Sequence, residues 1–145
     1  LDHDYAPLVQ DSLAPLMPLE PVLSELRAMG LKLGVATNDS HVSARNHMMH
    51  IGVIEHFEDI IAADTVAVAK PSGDMIRRFA EITGMPVSAI AMVGDNFHDM
   101  EEARNGGAGL AVAVLSGNAA HADIAHLADH TIDSVADLAA LLRSL

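Results

Sequence analysis

LKLGVATND, residues 31–39, decides the fold. Leu31, Leu33 and Val35 alternate with Lys32 and Gly34 until Thr37, Asn38 and Asp39 stop the run, which reads as a strand ending at Thr37. Just upstream, apolar residues at 16, 19, 22, 23, 26 and 29 keep helical spacing, with Pro21 suited to a first turn and Gly30 to the exit. Just downstream, Ser40 can cap a helix reaching Ile51, with Gly52 beyond it, and DIIAAD at 59–64 reads as a short buried strand.

The alternation continues to the C-terminus. Ser72 and Asp74 open a helix whose apolar face is Met75, Ile76, Phe79 and Ile82, stopped by Gly84 and Pro86. AIAMVGD then predicts a buried strand ending at Gly94, a short helix follows over 99–105, and GLAVAVLSG predicts another strand. A helix near 119–127, a strand at 130–132, and a helix opened by Ser134 and Asp137 in capping-box spacing complete the pattern. Strands apolar on both faces imply a parallel sheet covered on both sides, so the expected fold is α/β, a doubly wound, mostly parallel, Rossmann-like sheet. Residues 3–16 read instead as a helix-like piece outside any strand-helix unit.

Composition narrows the function. Eight Lys and Arg against 20 Asp and Glu give a formal charge of −12, which argues against a general nucleic-acid binder and against docking on an acidic membrane. With no cysteine, disulfides, thiolate zinc sites and cysteine nucleophiles are excluded. No apolar run approaches the roughly 18 residues of a membrane helix, and the expected location is cytoplasmic.

Ligands of open parallel sheets sit beyond the C-terminal strand ends. Three such places carry chemistry here: Thr37, Asn38 and Asp39; Lys70 before Pro71; and GDNFHD with Asp95 and Asp99. A hydroxyl and backbone amides bind phosphate oxygens, a lysine neutralises them and a carboxylate holds a hard Mg²⁺. Singly, each residue has a bland reading as helix cap or surface charge; their order at successive strand ends favours phosphoryl chemistry.

LGVATNDS, AVAKPSGDMI and AMVGDNFHDMEEARNGGAGLAVAVLSG resemble the second, third and fourth motifs of the haloacid-dehalogenase-like hydrolases, in the phosphoglycolate-phosphatase-like branch. The resemblance covers about residues 16–142. It implies a phosphatase that needs Mg²⁺ as cofactor, acts on a small phosphorylated metabolite and passes through an aspartyl-phosphate intermediate. It assigns phosphate binding to Thr37 and Asn38, orientation of phosphate and nucleophile to Lys70, and the metal to Asp95 and Asp99, with Asn96 in support. The GD-x-x-x-D form of residues 94–99 looks like the phosphatase version rather than the dehalogenase version.

The family's first motif, a strand followed by Asp-x-Asp, has no secure counterpart. Asp2-His3-Asp4 is the one Asp-x-Asp near the start, but no buried strand precedes it, and it is read as a decoy. DYAPLVQDSLAPL resembles the last helix of the helical cap of this branch. Residues 1–16 are therefore expected to be a cap remnant, and residues 17–145 a core lacking its first strand and, by itself, catalytically inert. Three other readings weigh less. A receiver-type signalling domain would place its acidic residues before the threonine and lysine. A non-catalytic domain on the same scaffold would leave the five motif residues idle. Structural zinc on His47 with His50, or on His126 with His130, lacks a third ligand, and His98 is expected to face solvent.

Overall fold

A computed structural model of the chain describes residues 5–16, 18–116 and 124–145. The strands are β1 (Ala6–Gln10), β2 (Leu33–Ala36), β3 (Phe57–Ile61), β4 (Ile90–Gly94), β5 (Leu110–Val114) and β6 (His130–Ile132). The helices are α1 (Glu20–Ala28), α2 (His41–His50), α3 (Asp74–Thr83), α4 (Phe97–Gly106) and α5 (Leu138–Arg143). One sheet runs in the order β3-β2-β1-β4-β5-β6, and every neighbouring pair is parallel. The α/β class and the parallel doubly wound sheet are as expected.

Period-two side chains divide the core between the two faces. Leu8, Ala36, Met92 and Ala113 pack on Ile76 and Phe79 of α3 and Met100 of α4. Val9, Val35, Val93 and Val112 pack on Leu23 and Leu26 of α1, Met48 of α2 and Leu138 of α5. Phe79 is fully buried, which stabilises the fold by about 1.5–3 kcal/mol. It lies across β2 at Gly34, where an added Cβ would come within 2.5 Å of the ring, so a glycine is needed there for packing.

Two of the predicted caps form, while at α3 Gly73 takes the cap position expected of Ser72, whose Oγ accepts from the Asp74 amide at 3.3 Å. Ser40 Oγ accepts from the Ser43 amide at 3.2 Å, Pro21 stands in the first turn of α1, and the Ser134–Asp137 capping box opens the last helical segment. The strand expected at 59–64 occupies Phe57–Ile61, and the helix expected from 99 begins at Phe97. The helix expected near 119–127 falls largely outside the described residues.

The N-terminus requires a correction. Ala6–Gln10 is a strand, followed by a 3-10 turn at Asp11–Leu16, and it occupies the middle of the sheet. Leu8 lies opposite Gly34 of β2 and Met92 of β4, and Val9 opposite Val35 and Val93. The reading of residues 1–16 as a helical remnant apart from a core without its central strand does not hold for these residues. Without β1, the facing edges of β2 and β4 would leave buried amides and carbonyls unpaired, and Leu8 and Val9 supply an apolar side chain to each face. Pro7 obscured this, because a proline argues against a central strand. It is accommodated where β1 pairs with β4, before pairing with β2 begins at Leu8. Asp2, His3 and Asp4 lie outside the described residues. Among those described, no helix is long and apolar enough to cross a membrane.

Candidate active site

Parallel strands bring their C-terminal ends to one edge, so the residues after β1, β2 and β4 converge although they are far apart in sequence. After β2 the Thr37 amide still donates to Ile61 O at 3.0 Å, which extends the pairing with β3 by one residue. The buried Thr37 hydroxyl accepts from the Asp39 amide at 3.0 Å and keeps its proton free to donate. Asn38 Oδ1 accepts from the Lys70 amide at 3.2 Å, tying this turn to the loop before α3. Its amide group remains available as a donor.

After β4, Asn96 and Asp99 form a capping box. The Asp99 amide donates to Asn96 Oδ1 at 3.1 Å, and Asp99 Oδ2 accepts from the Asp95 and Asn96 amides at 3.0 and 3.2 Å. Gly94 makes room, since a Cβ there would stand 2.3 Å from Asp99 Oδ2. The other Asp99 oxygen meets Lys70 Nζ at 3.2 Å, and both side chains are almost entirely removed from solvent. Burial pushes the Asp99 carboxyl above its ordinary range, with the Lys70 charge opposing that shift.

At the end of β1 stands Gln10, which the sequence had not marked. It is 1% exposed, its Oε1 accepts from Lys70 Nζ, and its Nε2 donates to Met92 Sδ. Lys70 therefore spends one proton on Gln10 and one on Asp99, leaving a third for a ligand. The next two residues reach sideways: Asp11 Oδ1 meets His47 Nδ1 at 3.2 Å, and Ser12 Oγ donates to Asp95 Oδ1 at 2.8 Å.

These groups surround a cavity of about 320 Å³ lined by Asp11, Ser12, Thr37, Asn38, Asp39, Lys70 and Asn96. Thr37, Asn38 and Lys70 thus line one cavity; Asp95 reaches it through Ser12, and Asp99 stands behind Lys70. Glu102, one turn beyond Asp99 on α4, is also fully buried; its oxygens make no hydrogen bond of full geometry, and the Gln10 side chain stands beside them. Desolvation raises its carboxyl to about 8 against the pull of the Lys70 charge. Gln10, Asp11, Ser12 and Glu102 were all missed. Only Glu102 left a signal, an acidic residue in helical register with Asp99.

A family model described as haloacid dehalogenase-like hydrolase matches residues 2–107. The chain belongs to this family. A phosphoglycolate phosphatase of Chromobacterium violaceum is 35% identical over 123 residues, covering 84% of this chain and 54% of that protein. A glyceraldehyde 3-phosphate phosphatase of Methanocaldococcus jannaschii is 27% identical over 124 residues, covering 85% of this chain and 54% of that protein. A hydrolase from Pseudomonas syringae superposes with a TM-score of 0.74 at 25% identity, over 86% of this chain and 59% of that one. The chain spans about half the length of the curated relatives it matches. Its sequence places it in the phosphoglycolate-phosphatase-like branch of the haloacid dehalogenase-like hydrolases.

For a metal of the kind the family implies, the donors at hand are oxygens: the Asp95 carboxylate with the Ser12 hydroxyl bonded to it, and Asp11 on the same cavity. That set suits hard Mg²⁺, which takes one or two carboxylates and completes its shell with water. Of the Asp99 oxygens, Oδ1 meets Lys70 and Oδ2 accepts from the two cap amides. A second cluster, Glu20, Glu55 and His56, brings its ligand atoms within 4.8 Å of one another. There the Arg27 guanidinium, which only donates, lies 3.4 Å from His56 Nδ1, so Nε2 carries the proton donated to Glu20 and has no lone pair for a cation. His98 is 65% exposed and meets Glu101, so it faces solvent as expected.

Proposed function

We propose that this chain is the phosphoryl-binding core of a Mg²⁺-dependent phosphatase of the haloacid dehalogenase-like family, acting on small phosphate monoesters of the phosphoglycolate type through an aspartyl-phosphate intermediate. The observation that carries the reading is the convergence of Lys70 with Thr37 and Asn38 on one cavity. In this reading Lys70, fixed from behind by Asp99 and Gln10, offers its third proton to a phosphoryl oxygen, while Thr37 Oγ1 and the Asn38 amide donate to the others. Water is displaced from an ammonium that is already nearly dry, which strengthens its hold on the anion. Asp95, with the Ser12 hydroxyl bonded to it, would hold the Mg²⁺. When bound, that ion supplies charge neutralisation at the phosphoryl group.

The covalent step requires a carboxylate oxygen next to Lys70, attacking phosphorus as the ester oxygen departs. Within the described residues that place is taken by the Gln10 amide, which is a poor nucleophile. Residues 1–145 alone are therefore read as a binding core without turnover. Gln10 also favours a second reading, a scaffold that binds a phosphorylated ligand without hydrolysing it.

Mg²⁺-dependent hydrolysis of p-nitrophenyl phosphate, by these 145 residues and by a form extended upstream, separates the readings. Turnover by the extended form alone, lost in Lys70→Ala and Asp95→Asn, is the expected result. Binding of inorganic phosphate by both forms with turnover by neither would establish the second reading. Turnover by the 145 residues alone would overturn their assignment as inert, and Asp2→Asn and Asp11→Asn would then identify the attacking group.

A further inference from the structure

The phosphate cavity is lined by two side-chain hydroxyls, those of Thr37 and Ser12, and they are built differently. Thr37 Oγ1 is buried and accepts from the Asp39 amide, with no carboxylate set to take its proton. Ser12 is exposed, and its Oγ donates to Asp95 Oδ1 at 2.8 Å. The oxygen of that hydroxyl keeps its lone pairs while its proton is already aimed at a base. Asp95 is held in turn, because it directly follows β4 and its amide donates to Asp99 Oδ2 at 3.0 Å. A hydroxyl paired with a carboxylate that a third group orients is the arrangement of an activated nucleophile. The chemistry proposed above leaves this hydroxyl without a reaction of its own.

We propose that Ser12 is a phosphoryl acceptor, its Oγ taking the phosphoryl group of an acyl phosphate bound in the cavity. The Oγ–P bond forms as the bond from phosphorus to the acyl oxygen breaks, and the electron pair leaves with the carboxylate. The Ser12 proton passes to Asp95 Oδ1 and from there to water. Lys70, Thr37 and Asn38 line the same cavity and supply donors for the phosphoryl oxygens. The product is a serine phosphate ester, far more resistant to water than an acyl phosphate, so each chain reacts once and the 145 residues stay without turnover. It adds about 1.5–2 negative charges to the cavity, which oppose entry of a second anion. The acceptor role rests on the reading of this cavity as a phosphoryl site.

Intact mass of the 145-residue chain after incubation with acetyl phosphate and Mg²⁺ is the test. The expected result is one added phosphoryl group, mapped to Ser12 by peptide fragmentation and stable to hydroxylamine. Ser12→Ala, which loses only an exposed hydrogen bond and should fold, should take none. An adduct that hydroxylamine removes would lie on a carboxylate such as Asp11 and would overturn the proposal, as would the absence of any adduct. Asp95→Asn should slow labelling about 100-fold, with Mg²⁺ and in EDTA alike, as expected for a lost proton acceptor. Slowing confined to the Mg²⁺ reaction would reduce Asp95 to a cation ligand and overturn its part in the transfer. Titration with inorganic phosphate keeps the two readings apart. A wild-type chain that binds phosphate but takes no adduct defeats the acceptor role alone, whereas one that does neither defeats the phosphate site with it.

Discussion

β4 runs through Gly94, Asp95 and Asn96 into a helix whose Asp99 turns back to accept from two amides of that same turn. β1 runs through Gln10, Asp11 and Ser12 into a 3-10 turn whose side chains find their partners far along the chain. Gln10 meets Lys70 and Met92, 60 and 82 residues away; Asp11 meets His47, 36 away; Ser12 meets Asp95, 83 away. The two strand ends flank the same lysine, yet the β4 end is largely held by its own neighbours, and the β1 end exists only when the rest of the sheet is in place. The β4 end should therefore act as the anchor of the site and the β1 end as its dependent wall.

The largest effect expected is at the anchor. Asp99→Asn removes the charge facing a nearly buried Lys70 and weakens the cap, and breaking a buried pair in this way costs about 3–5 kcal/mol. Urea unfolding of the chain measures it. A loss under about 1 kcal/mol would show that β4 does not anchor Lys70 and would erase the distinction between the two strand ends.

Glu102, on the same helix, adds a pH dependence of predictable sign. Its folded-state carboxyl lies near 8 and its ordinary value is 4.5, so the folded chain holds a proton that the unfolded chain releases between those limits. Its contribution to stability is complete below about 4.5 and is lost as pH rises through about 8, at no more than about 1.4 kcal/mol per pH unit. Glu102→Gln cannot titrate, so its stability relative to wild type should climb from pH 5 to pH 8 and then level off. A difference that stays flat across this window would mean that Glu102 is not held neutral in the fold.

The same local-against-distant contrast explains what could be read from the sequence. From β2 through β5 the chain announces itself through alternation, helical spacing, caps and glycine exits within a few residues of one another, and those elements came out nearly in register. Thr37, Asn38, Lys70, Asp95 and Asp99 were legible because each follows or precedes such an element. β1 was not, because Ala6–Gln10 has no alternation and contains Pro7, and its strand character comes from two neighbours that close the gap between them. Gln10, Asp11 and Ser12 were invisible for the same reason. For Asp99 the sequence gives the spacing of the carboxylates but not that its oxygens meet Lys70 and the amides of its own cap.

The β1 end should respond more weakly, and in order. Gln10→Leu keeps the volume but takes one of two acceptors from Lys70 and the donor from Met92, at an expected cost of about 1–3 kcal/mol. That is less than Asp99→Asn because the lost partner carries no charge. If Gln10→Leu proved the costlier of the two, the β1 end would be the anchor, and Lys70 would be set by an amide rather than by a carboxylate.

Ser12→Ala sits at the bottom of the order and sharpens the contrast most. The bond from Ser12 Oγ to Asp95 Oδ1 is solvent-exposed at 2.8 Å, so water replaces the lost hydroxyl and the cost to stability should stay below about 1 kcal/mol. Its effect on the site should be larger than that, because this bond joins the end of β1 to the carboxylate proposed to hold Mg²⁺. A double-mutant cycle of Ser12→Ala with Asp95→Asn, read once by urea unfolding and once by Mg²⁺ titration, separates the two roles. Coupling seen in Mg²⁺ affinity but absent from stability means that β1 orients a ligand without holding up the fold. Coupling of equal size in both would make the β1 end a structural partner of β4, and the division between anchor and wall would fail.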